Sequence, residues 1–77
     1  MAVATETRET TLVHQVGFLA GDVYRYLYET GEASLNDLKK ELGTTPAMLQ
    51  MAVGWLAREE KIVLSKKGAG YLVKLNA

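Results

Sequence analysis

Residues 34–60 read SLNDLKKELGTTPAMLQMAVGWLAREE, and the punctuation of this stretch decides the fold. Leu35, Leu38 and Leu42 stand at i, i+3 and i+7, the spacing of one helical face. Ser34 precedes them and Asp37 follows it by three residues, a variant of the capping box in which Asp replaces Glu. A two-turn helix therefore starts at Ser34, turns Lys39 and Lys40 outward and ends at Gly43. Thr45 is then placed to cap a second helix. Pro46 suits its first position, because the fixed φ is helical and the missing N–H would be unpaired there anyway. That helix runs from Pro46 to about Glu60, joined to the one before it by a tight turn containing Gly.

Upstream, Val16, Leu19, Ala20, Val23 and Leu27 recur at spacings of three and four, which makes a first helix from Leu12 that Gly31 stops. The segment VYRYLY, residues 23–28, also fits a strand by residue type, but the stripe continues upstream at helical spacing. Residues 1–11 are polar and without periodicity, and read as a flexible lead-in to a domain spanning 12–77. Downstream of Lys61 the period changes to two: IVLS, then KKGAG, then YLVKL, a hairpin around a glycine-bearing turn. Three helices followed by a C-terminal β-hairpin make an α+β, mainly α chain with the winged helix-turn-helix layout.

The composition narrows the chemistry. At 77 residues, with 48% apolar and 23% charged positions, the chain is one small globular domain without room for a large catalytic cleft. Nine basic and nine acidic residues cancel, so no strong net field draws polyanions or membranes. The distribution is uneven, however. Residues 33–77 hold seven Lys and Arg against four Asp and Glu, net +3, while residues 1–32 hold two against five, net −3. The absence of cysteine and of an apolar leader core makes a cytoplasmic protein the expectation.

GWLAREEKI, residues 54–62, and AGDVYRYL, residues 20–27, resemble a small bacterial winged-helix family of unknown function, and the resemblance extends from Val13 to Leu75. It implies the winged-helix fold and a DNA-binding ancestry. It brings no ligand and no catalytic residue.

Candidate contacts follow from the layout. In a DNA-binding helix-turn-helix the last helix of the motif lies in the major groove. If Leu49, Ala52, Val53 and Leu56 face the core, then Ala47, Met48, Gln50, Met51, Gly54, Trp55 and Arg58 face away. Of these only Gln50 and Arg58 can hydrogen-bond a base or phosphate, so direct base reading is weak. Lys39, Lys40, Thr44, Gln50, Arg58, Lys66 and Lys67 are the candidate nucleic-acid contacts, with the two wing lysines on the turn. Lysines there also keep a strand edge from pairing with other chains. The apolar remainder has two readings. Either Trp55 packs under the hairpin while the methionines fill gaps against the first helix, or Met48, Met51 and Trp55 form a homodimer or partner interface. The functional expectation is thus a winged-helix module that binds double-stranded DNA as a homodimer, with a protein-interaction module as the alternative.

Other signals point to no enzyme, metal, cofactor, small-molecule substrate or membrane. His14 stands alone without a ligand set, and Ser34 and Ser65 serve a helix cap and a strand end. The GAG at 68–70 joins strand to strand and lacks the helix a phosphate cradle needs. Glu59 and Glu60 are adjacent on a helix end and share no face. Gly17 and Gly21, in a G-x-x-x-G spacing interrupted by charges, offer a smooth strip for the core or for a dimer.

Overall fold

The computed structural model describes the backbone of residues 3–76 and the side chains of residues 12–76. Its elements are α1 (Val3–Thr30), β1 (Glu32–Ser34), α2 (Leu35–Leu42), α3 (Pro46–Arg58), β2 (Ile62–Lys67) and β3 (Gly70–Leu75). The helix reading of VYRYLY holds, and the Gly31 N–H closes α1 on the Leu27 carbonyl at 2.6 Å. The helix-turn-helix forms as the punctuation requires. The Asp37 N–H donates to Ser34 Oγ at 3.0 Å and the Met48 N–H to Thr45 Oγ1 at 3.2 Å. Between these caps Gly43 takes φ 59° and ψ 42°, the left-handed geometry that glycine enters without a Cβ penalty.

Two elements differ from the sequence reading. The first helix begins at Val3 rather than Leu12, so residues 3–11 of the expected lead-in are helical. Extending an existing helix needs no new nucleus, and a polar, aperiodic segment can therefore join one without offering a stripe of its own. The second difference is β1, which turns the expected hairpin into a three-stranded antiparallel sheet of order β1-β3-β2. Ala33 faces Val73 across one ladder and Leu64 faces Val73 across the other, which makes β3 the central strand.

The core lies where α1 crosses α3 above this sheet. Val16, Ala20, Val23 and Leu27 from α1 meet Leu38 from α2 and Leu49, Ala52, Val53 and Leu56 from α3, with Ala33, Ile62 and Val73 beneath. Leu19 packs at the margin, half-buried. The glycine strip of α1 is not used in this packing: a Cβ added at Gly17 or Gly21 would meet nothing within 4 Å.

Candidate nucleic-acid interface

Antiparallel pairing places Lys66 opposite Tyr71 and Lys67 opposite Gly70, so both lysines belong to the last rungs of the ladder and only Gly68 and Ala69 form the loop. Gly68 has φ 59° and Ala69 does not take a positive φ, the φ signs of a II′ turn, whose twist matches that of the strands. Successive strand residues point to opposite faces. Lys66 therefore reaches over the Tyr71 ring, with Nζ 5.4 Å from its centroid, while Lys67 points to the other face of the ribbon.

Tyr71 in turn closes one end of a shallow cleft of about 270 Å³ between α2, α3 and β3. Ser34, Leu35, Asn36 and Lys39 line its α2 side, Pro46, Leu49 and Gln50 its α3 side, and Gly70 and Tyr71 its wing side. Gln50 is shared with a second hollow that continues along α3 past Val53 and Gly54 to Leu64 and Tyr71. No carboxylate lines either depression among the described residues. The result is a basic-rimmed surface with an apolar floor and two amides, Asn36 and Gln50, able to pair with a base edge.

The seven candidate contacts do not all gather here. Lys39, Gln50 and Lys66 come together around Tyr71. Lys40, one residue and 100° further around α2, does not line the cleft. Thr44 is half-buried in the turn, its N–H 3.4 Å from the Lys39 carbonyl. Arg58 lies beside Trp55 and Glu59, away from the wing. Sequence reasoning passed over Tyr71 and Asn36. A two-residue Gly68–Ala69 loop would have set Tyr71 opposite Lys66, so the signal for the tyrosine was present in the turn.

The other flank of α3 is apolar in a different way. The four inward residues, Leu49, Ala52, Val53 and Leu56, are buried as the spacing requires. Met48 is half-buried against the core, which takes it out of the exposed set. Met51 and Trp55 are 45% and 42% exposed, and they face Leu12, Val13 and Val16 of α1 across a groove of about 390 Å³. Trp55 is thus on the α1 side and not under the hairpin, because position 55 follows position 51 by a full turn and both lie away from the sheet.

Three helices, a helix-turn-helix capped at both starts and a three-stranded wing define this protein as a winged helix-turn-helix domain. The chain belongs to the family described as Winged helix-turn-helix domain (DUF2582), whose profile matches residues 11–75. It is 41% identical over 64 residues to the "Uncharacterized protein MJ1608" of Methanocaldococcus jannaschii, an alignment covering 79% of this chain and 90% of that protein. No helix of the described residues is long and apolar enough to cross a membrane.

Proposed function

We propose that this chain is a non-enzymatic winged-helix domain that binds double-stranded DNA, with α3 toward the major groove and the wing along the phosphate backbone. The observation that supports it is the carboxylate-free cleft where Lys39, Gln50 and the Lys66–Tyr71 pair meet. A polyanion approaching this surface finds cations on two rims and no repelling carboxylate between them. Gln50 on α3 and Asn36 on α2 are the two amides of the cleft suited to bidentate pairing with an adenine edge, so affinity rests mainly on phosphate contacts and sequence preference is shallow.

Titration of a labelled duplex at several salt concentrations tests this. With two lysines neutralising phosphates, log Kobs against log salt should fall with a slope of about −2. The double variant Lys39→Ala, Lys66→Ala should remove most of the binding, whereas Trp55→Ala should leave it. Absence of duplex binding at low salt would falsify the proposal. A second reading, a protein-interaction module, is favoured by one observation: the exposed residues along the middle of α3 include Met51, Gly54 and Trp55, which offer a duplex no charge and no polar side-chain group but the indole N–H. Under that reading the lysine variants are silent and Trp55→Ala removes the interaction.

A further inference from the structure

We infer that the surface proposed above for duplex DNA prefers A·T to G·C base pairs, reading them in the major groove through Gln50 and the apolar face around it. The inference rests on that reading and gives its shallow preference a direction. Beside the cleft, α3 presents Pro46, Ala47, Gln50 and Gly54, all exposed. Pro46 and Gln50 line the cleft, and Gln50 and Gly54 line the hollow that continues from it. At 3.6 residues per turn the four positions fall within about 100° of one another, so they form one face. Gln50 supplies the only hydrogen-bonding side chain on it. Gly54 leaves the helix backbone bare, which lets a base edge approach closely.

Each base pair shows a different edge in the major groove. An A·T pair offers adenine N7 and its amino group, which one carboxamide satisfies together, and the thymine methyl, the one apolar group in that groove. Gln50 matches the first and Pro46 or Ala47 the second. A G·C pair offers guanine N7 and O6 and the cytosine amino group, with no methyl. Guanine calls for a cation that donates twice, and cytosine for a carboxylate. Neither stands on this face. The one cation of α3, Arg58, lies at its far end beside Trp55 and Glu59, and no carboxylate lines the cleft or the hollow among the described residues. Gln50 satisfies only part of a G·C edge, and the polar groups left over would lie desolvated against Pro46 and Ala47.

The lysines do not reverse this choice. Lys39 stands on α2 and Lys66 on the wing, its Nζ 5.4 Å from the Tyr71 ring centroid, so they flank α3 as the two phosphate chains flank a groove. Asn36, on the α2 wall of the cleft, repeats the carboxamide chemistry and favours adenine as well.

Three labelled duplexes of equal length, with A·T, G·C or I·C pairs inside a common flanking sequence, hold the phosphate count and hence the electrostatic contribution constant. Inosine lacks the amino group of guanine, so an I·C pair keeps the major-groove edge of G·C while its minor groove resembles that of A·T. By fluorescence anisotropy at low salt, the A·T duplex should bind at least about fivefold more tightly than either of the others, the lower end for one bidentate contact. Uracil in place of thymine removes the methyl alone and should forfeit about two- to fourfold of that advantage. Gln50→Ala should bring the ratio of A·T to G·C affinity close to one, and Gln50→Arg should turn it toward G·C, because a guanidinium pairs with O6 and N7. Both variants replace an exposed side chain and leave the core untouched. Lys39→Ala should weaken all three duplexes alike. Equal binding of the A·T and G·C duplexes overturns the inference while duplex binding stands. An I·C duplex bound as tightly as A·T also overturns it, by assigning the preference to the minor groove. A chain that binds none of the three at low salt overturns the inference together with the reading beneath it.

Discussion

Glu60 carries more of the architecture than its exposed carboxylate suggests. It is the one described non-glycine residue with positive φ, at 61°, and it occupies the position just past the C-cap of α3. Its N–H donates to the Ala57 carbonyl at 3.0 Å and the Lys61 N–H donates to the Leu56 carbonyl at 2.9 Å, the paired bonds of a Schellman ending. Asn76 fastens the same corner, its Nδ2 donating to the Glu60 carbonyl at 2.8 Å and its N–H to the Lys61 carbonyl at 3.0 Å. This corner aims β2, and hence Lys66, relative to α3. A left-handed conformation costs an L-residue about 1 to 2 kcal/mol, which glycine avoids, although glycine also loses more entropy on folding. Glu60→Gly should therefore stabilise the domain by about 0.5 to 1 kcal/mol, read as a higher urea midpoint. An unchanged or lower midpoint would show that glutamate bears no strain there.

Among the elements, α2 and α3 were legible because their ends are written locally. Ser34, Gly43, Thr45 and Pro46 each act within three residues of the boundary that they set. The hydroxyl of Thr45 satisfies an otherwise orphaned N–H at the start of α3, so Thr45→Ala should cost about 1 kcal/mol. In a domain of this size that lowers the melting temperature by roughly 4 to 8 °C, measurable by scanning calorimetry. A loss below a degree would mean that Pro46 and tertiary packing alone hold the start of α3. By contrast β1 was hidden, since three residues carry no period and its signal lies 40 residues away in the pairing of Ala33 with Val73. The cleft fell between these cases. Spacing separates the Gln50 flank of α3 from the Met51 and Trp55 flank, but only the sheet decides which flank meets the wing. Lys66 and Lys67 were legible as a pair and not as opposite faces, because their division depends on where the strand ends and the loop begins.

For the molecule as a whole, charge and shape are both lopsided. The first 32 residues of the sequence carry net −3 and the remainder net +3, and the described lining of the cleft belongs wholly to the basic part, despite a net charge of zero. The long dimension is 46 Å against 23 and 20 Å, and a helix of 28 residues accounts for about 42 Å of it. Yet among the described side chains the core begins only at Val16, well along α1 from Val3. The sequence of residues 3–11 is polar and has no apolar stripe at helical spacing, and helix without such a stripe adds little stability beyond propagation, whose gain per residue is near zero at room temperature. A chain shortened to residues 12–77 should therefore unfold within about 0.5 kcal/mol of the full chain when dilute, with proportionately less helical signal in circular dichroism. Destabilisation of more than 1 kcal/mol would place part of the cooperative core ahead of Leu12.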